Sequence, residues 1–98
     1  AVAAHARAAD DKLIAQGKTI LSANCARCHS VEATGDSAVR AAPPFRTLSQ
    51  KYPVETLAEA LAEGIVTGHN DMPQFVFTPD EIDAILAYLN VINPPHKR

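Results

Sequence analysis

The chain has 98 residues, 47% of them hydrophobic, which is enough for one small core. Nine basic and eleven acidic residues give a formal net charge of −2, which argues against binding to nucleic acid or to an anionic membrane surface. No apolar run has the length of a membrane span, so we expect no stable membrane insertion. We expect one domain over residues 1–98, with 1–9 as an N-terminal extension and 94–98 as a C-terminal tail. A core of this size usually requires a staple such as a disulfide or a metal.

The first predicted element is a helix that begins at Asp10 or Asp11 and ends near residue 24. Gly17 lies inside its apolar pattern at a cost of about 1 kcal/mol relative to alanine. Such a glycine often marks the close approach of another backbone, and mere tolerance is the alternative. The Ala-rich residues 1–9 are too polar for the core of a signal peptide. They are either the start of a mature chain after cleavage or a frayed extension of the helix.

The most informative residues come next and read Cys25-Ala26-Arg27-Cys28-His29. Two thiols at this spacing, with an imidazole directly after the second, are the attachment signature of a c-type haem. On a helical turn, positions i, i+3 and i+4 share one face, so all three groups can reach one flat macrocycle. The thiols would form two thioether bonds and the imidazole would bind iron.

Two other uses of a Cys-x-x-Cys pair fit the sequence less well. A thioredoxin-like redox pair follows a strand in a βαβ unit, and no strand pattern precedes Cys25. A zinc site usually takes four Cys and His ligands. The chain has only two cysteines, and its remaining histidines, His5, His69 and His96, are scattered. A covalent haem would also serve as the staple that a small core requires, and it would use both cysteines.

Residues 30–47 are predicted to form a loop, because the segment contains turn-forming residues and the pair Pro43-Pro44 cannot continue a helix. A short helix is expected over residues 45–50. A clearer helix then begins at Pro53, with its apolar residues on one face and its glutamates on a solvated one.

The helix from Pro53 ends at Gly64 or Gly68. Residues 65–78 follow as a second loop. This loop contains Met72, the only methionine of the chain, directly before a proline.

The last predicted helix has the strongest start signal. Thr78 is a good N-cap, Pro79 suits the first helical position, and Glu81 supplies the acid of a capping box. The helix stops at Asn93, before two prolines. We find no β pattern, so the sequence predicts an all-α fold. The residues expected to form the core are Leu13, Ile20, Leu21, Phe45, Leu57, Leu61, Ile82, Ile85, Leu86 and Leu89.

The order of these features resembles the class I cytochrome c family in its short bacterial form, over roughly residues 10–92. The resemblance implies a cytochrome c fold of three to five helices around one covalently bound haem c. It implies attachment through Cys25 and Cys28, with His29 as the proximal iron ligand. In the family, the distal ligand is a methionine in a later loop, which here would be Met72.

Two further features of the family have counterparts in this chain. Its first and last helices cross where a small residue meets an aromatic one; Gly17 and Tyr88 match, while Leu21 stands where an aromatic residue is common. The family also uses a proline carbonyl that accepts a hydrogen bond from the ligand histidine. Pro43 and Pro44 both fall near that place, and Pro43 is favoured because a residue before a proline is held extended. The bond would fix the ring and strengthen the iron–nitrogen bond.

The sequence offers three candidate partners for the haem propionates. Many relatives use a tryptophan, which this chain lacks. Arg46, Tyr52 and His69 are the candidates. His69 would lie at the rim of the haem pocket or replace Met72 when that ligand is lost, and a plain surface position is the alternative.

Two axial protein ligands would leave no open coordination position on iron, and histidine–methionine ligation raises the reduction potential. The resemblance therefore implies a soluble one-electron carrier rather than an enzyme. We expect a monomer that meets a redox protein donor and acceptor in the periplasm, since haem is attached on the exported side of the membrane. The alternatives are a haem subunit of a periplasmic dehydrogenase or oxidase system, and a small haem peroxidase or gas-binding protein.

Overall fold

The computed structural model describes residues 2–64 and 75–96, and every regular element in these two segments is helical. The elements in chain order are α1 (Val2–Asn24), the 3₁₀ helix η1 (Phe45–Gln50), the 3₁₀ helix η2 (Val54–Thr56), α2 (Leu57–Glu63) and α3 (Pro79–Ile92). The predicted all-α fold is therefore confirmed. Within the described segments, none of the helices combines the length and the apolar character that crossing a membrane would require.

The start of α1 differs from the sequence prediction. The helix begins at Val2 rather than at Asp10 or Asp11, and it ends at Asn24 as expected. Residues 2–9 are rich in alanine, the strongest helix former, and contain neither proline nor glycine. Nothing in their backbone chemistry stops the helix, so this stretch forms its N-terminal extension. The acidic pair is a good start signal that lies inside a longer helix.

α1 and α3 pack directly against each other and position the other elements. Where they cross, an ideal Cβ on Gly17 would lie only 1.9 Å from the carbonyl oxygen of Ala84 and 2.9 Å from the Cβ of Tyr88. Gly17 therefore marks a close approach of two backbones, which was one of its two interpretations. Leu21 and Tyr88 are both buried, at 3% and 5% exposure.

In the part of the chain that the structure describes, one apolar core lies around α3. Its buried residues are Leu21, Val31, Val54, Leu61, Phe77, Ile82, Ile85, Tyr88 and Leu89. The other residues expected in the core are partly buried: Leu13, Ile20, Phe45, Leu57 and Leu86. The sequence prediction missed Val31, Val54 and Phe77. These residues lie in loops or in a single 3₁₀ turn, where no helical periodicity marks burial.

The ends of the other helices follow local signals. The helix expected from Pro53 is divided into η2 and α2, and it ends at Gly64, which has φ +96°. Gly68, the alternative end, lies outside the described residues. Thr78 and Glu81 form the expected capping box: the Thr78 N–H donates to Glu81 Oε1 at 2.9 Å, and the Glu81 N–H donates to Thr78 Oγ1 at 3.3 Å. α3 stops before Asn93, as predicted.

The side chain of Asn93 connects the end of α3 to η1 and is only 7% exposed. Its Nδ2 donates to the carbonyls of Phe45 and Leu89 at 2.8 and 2.9 Å. Its Oδ1 accepts from the Ser49 N–H at 3.0 Å. His96 adds a hydrogen bond from Nδ1 to the Ser49 carbonyl. These contacts fix η1, and with it the end of the loop that follows the cysteine motif.

Asn93→Ala is expected to lower the free energy of unfolding by about 2–3 kcal/mol, because it removes three hydrogen bonds of a buried side chain and leaves the Ser49 N–H without this acceptor. Chemical denaturation of the haem-loaded protein measures the change. Asn90→Ala is the matched control in the same helix, since Asn90 is exposed and bonds only the exposed Glu55 among the described residues. It should cost no more than about 0.5 kcal/mol. Equal losses in the two variants would contradict the role assigned to Asn93.

Candidate functional site

The cysteine motif forms a hydrogen-bonded turn directly after α1. The Cys25 N–H donates to the Leu21 carbonyl at 2.8 Å, and the N–H groups of Cys28 and His29 donate to the Cys25 carbonyl at 3.2 and 3.0 Å. The bond from His29 to Cys25 spans four residues, as in an α-helix, so the motif forms one helix-like turn beyond α1. This geometry is the condition under which two thiols and the following imidazole share one face.

The Cys25 thiol packs against the apolar core, and this burial raises its pKa to about 11. The thiol is therefore neutral near pH 7. A redox-active Cys-x-x-Cys motif needs the opposite, a thiol pKa lowered to about 3.5–7.5 so that the thiolate can attack. The motif also follows a helix rather than a strand. Both observations disfavour the thioredoxin-like alternative.

The imidazole of His29 is held on two sides. Its Nδ1 lies 2.8 Å from the Pro43 carbonyl, and because a carbonyl only accepts, Nδ1 must donate. The neutral ring then keeps the lone pair on Nε2, the nitrogen available to a metal. The Phe45 ring packs against the imidazole with centroids 4.7 Å apart and planes inclined by 33°. The acceptor is Pro43, the proline that the sequence favoured over Pro44.

Two backbone hydrogen bonds close the loop that follows the histidine. The Val39 N–H donates to the Cys28 carbonyl at 3.0 Å, and the Phe45 N–H donates to the Ser30 carbonyl at 2.9 Å. The residues on both sides of His29 are therefore tied to the returning chain. No sequence pattern predicts these bonds, because they depend on the path of an irregular loop.

α3 supports the same loop from the core side. The Tyr88 hydroxyl donates to the Val31 carbonyl in a buried hydrogen bond. Burial, with a smaller contribution from the Glu32 carboxylate, raises the pKa of Tyr88, while Lys18 opposes the shift. The phenol is thus neutral and remains a donor. On the surface, Lys18 and Glu32 form an ion pair at 3.2 Å that joins α1 to the loop.

Several residues of the predicted site lie where the structure gives no description. Met72, Pro73 and His69 are outside the described residues, so the distal ligand remains a sequence-based expectation. Of the propionate candidates, Arg46 directs Nη1 to the Gly35 carbonyl at 2.7 Å. Among the described residues, no group of three or more His, Cys, Asp or Glu side chains is placed to hold a metal ion.

The surroundings of the motif fit a large apolar group. Cys25 lies against the core, and a set of half-buried apolar side chains adjoins the same core: Ile14, Ile20, Phe45, Leu48, Leu57, Phe75, Leu86 and Ile92. His29 presents one ring nitrogen with an available lone pair. A covalently attached haem would use all three features: the thiol pair on one turn, the fixed imidazole and the apolar neighbours.

The fold and the site are those of a small helical haem protein. A comparison with protein-family models matches the cytochrome c family over residues 14–92, and the chain therefore belongs to that family. Members carry covalently attached haem c and transfer electrons in redox chains with partner proteins, and haem c is accordingly the cofactor of this chain. Comparisons with curated proteins and with solved structures gave no significant match.

Proposed function

We propose that this chain is a soluble, monomeric one-electron carrier of the periplasm, with haem c attached through Cys25 and Cys28. His29 is the proximal iron ligand and Met72 the distal one. When bound, the haem supplies reversible one-electron chemistry at its iron. The observation that carries the proposal is the hydrogen bond from His29 Nδ1 to Pro43, which directs the other ring nitrogen to a metal.

The contacts of His29 suit electron transfer because they keep the ring still. The Pro43 carbonyl fixes the tautomer and increases the basicity of the ligand nitrogen. Phe45 restricts rotation of the ring from the side. A ligand that is fixed in this way needs little rearrangement when the iron changes its charge, which favours rapid and reversible electron exchange.

Met72 as the distal ligand is supported by the anchoring of the chain on either side of it. The Gly64 N–H donates to the Ala60 carbonyl at 2.8 Å, at the end of α2. The Phe77 N–H donates to the Leu61 carbonyl at 2.9 Å, and Phe77 itself is buried. The residues that flank the segment 65–76, which contains Met72, are therefore both hydrogen-bonded to the last turn of α2, beside the core.

We infer an electron carrier rather than an enzyme because both axial positions of the iron would be taken by protein ligands. Two protein ligands leave iron no position for oxygen, peroxide or a substrate, and histidine with methionine favours the ferrous state. The periplasm is proposed because thioether attachment takes place on the exported side of the membrane in the systems that this family uses.

Met72→Ala tests the proposal. Loss of the thioether should lower the reduction potential by about 0.1–0.3 V, within the range over which axial ligands set haem potentials. The variant should also bind added cyanide or carbon monoxide and gain peroxidase activity that the parent lacks. Potentiometry with visible spectroscopy measures these changes, and Met72→Ala combined with His69→Ala shows whether His69 replaces the lost ligand. An unchanged potential and spectrum would assign Met72 to packing alone.

A further inference from the structure

We propose that Arg46 is a positioning residue for the proximal histidine: it closes the loop that leads from His29 to Pro43 and so keeps the Pro43 carbonyl on the ring nitrogen. The inference rests on the proposed ligation by His29. It gives Arg46 a role different from binding a haem propionate, for which the sequence made it a candidate.

Arg46 is a half-buried residue that makes its contacts through one guanidinium nitrogen. Nη1 donates to the Gly35 carbonyl at 2.7 Å and to Ser30 Oγ at 3.3 Å. Gly35 lies in the middle of the loop, while Ser30 is the residue next to His29. A single side chain thus joins the far part of the loop to the neighbour of the ligand.

Ser30 is buried, and the loop satisfies each of its polar groups. Its N–H donates to Ser37 Oγ at 2.9 Å, and its carbonyl accepts from Phe45. Its hydroxyl donates to the Thr34 carbonyl at 3.4 Å and accepts from Arg46. Movement of the loop would therefore be transmitted to the backbone beside His29.

The acceptor at Gly35 depends on an unusual backbone conformation. Gly35 has φ +94°, a left-handed conformation that residues with a side chain rarely adopt. This conformation sets the direction of the carbonyl that accepts from Arg46. The backbone conformation, and not a lack of space, favours glycine here, because no atom lies within 4 Å of an ideal Cβ at this position.

The backbone that carries the Arg46 side chain is itself held in place. Arg46 is the second residue of η1, and the Phe45 carbonyl just before it accepts from Asn93 of the α3 terminus. In sequence, Pro43 lies between η1 and the loop that Arg46 holds. The proline carbonyl is therefore restrained from both directions, and Arg46 supplies the restraint on the loop side.

The test compares Arg46→Ala and Arg46→Lys with Arg40→Ala in the reduced, haem-loaded protein. Arg40 is an exposed arginine of the same loop, so its loss changes the charge equally without removing these hydrogen bonds. The readouts are hydrogen-exchange rates of the His29 ring N–H and the Phe45 amide by NMR, together with the reduction potential.

Arg46→Ala should increase both exchange rates by about tenfold or more, as expected when a hydrogen bond that resists local opening is lost. It should also raise the potential, since a weaker Pro43 bond makes the ligand nitrogen less basic and so stabilises ferric iron less. Arg46→Lys should give intermediate rates, because an ammonium has the charge but not the planar fork. Arg40→Ala should leave the exchange rates unchanged.

Unchanged exchange rates in Arg46→Ala would overturn the proposal. It would also be overturned if Arg46→Lys restored the parent potential fully while its exchange rates stayed fast. Gly35→Ala provides a second variant that retains Arg46 but displaces its acceptor, and it should also accelerate exchange at Phe45. Failure of the underlying ligation is distinguishable. If His29 does not bind iron, the parent spectrum lacks the haem-shifted signals of its ring, and the Phe45 amide still shows whether Arg46 closes the loop.

Discussion

The double variant Cys25→Ala, Cys28→Ala, made without haem, is expected to be largely unfolded. The core of this small chain adjoins a set of half-buried apolar side chains, and Cys25 itself packs against it. Without the cofactor these side chains remain exposed to water, at a cost of about 25 cal/mol per Å² of apolar surface. A domain of this size has only about 5–15 kcal/mol of net stability to lose. Far-UV circular dichroism and a thermal melt measure the outcome.

Arg27→Ala is the matched control for this prediction. Arg27 is exposed between the two cysteines, so its replacement alters the motif without removing a thiol. The control should fold, gain the mass of one haem and keep its colour after acid–organic extraction. A cooperative, native-like melt of the double cysteine variant would show that the core is stable without the cofactor.

The features that the sequence predicted correctly are those with local causes. Thr78, Pro79 and Glu81 determine the start of α3 through hydrogen bonds that span a single turn. Gly64 ends α2 because a glycine readily adopts the positive φ that terminates a helix. The start of α1 at Asp10 or Asp11 was wrong, whereas the alternative that the preceding residues extend the helix agrees with the structure, because the alanine-rich residues 2–9 contain no helix breaker.

The candidate site divides in the same way. The cysteine motif could be recognised from the sequence because its residues lie on one helix-like turn. The structure shows the hydrogen bonds of this turn. The sequence favoured Pro43 over Pro44, and the structure decides between them, since both prolines are near in sequence and the Pro43 carbonyl is the one that reaches His29. The contact of Arg46 with Gly35 had no signal in the sequence, because it depends on how an irregular loop turns back on itself.

Gly17→Ala is expected to destabilise the protein by about 3 kcal/mol or more, although helix propensity alone predicts the opposite sign. Alanine in the middle of a helix is favoured over glycine by about 1 kcal/mol. The added Cβ, however, would lie 1.9 Å from the Ala84 carbonyl oxygen and 2.6 Å from its carbon. These are backbone atoms, so α1 and α3 must separate along the contact that buries Leu21 and Tyr88.

The sign of the change decides between the two effects. Chemical denaturation of haem-loaded Gly17→Ala should show a lower free energy of unfolding and an unchanged dependence on denaturant. Ala15→Gly is the control for helix propensity, because Ala15 is exposed in the same helix; it should cost about 1 kcal/mol. If Gly17→Ala were instead stabilising by a similar amount, the helices would tolerate the added methyl group. Gly17 would then be merely tolerated, and the close crossing of α1 and α3 would not be what requires a glycine there.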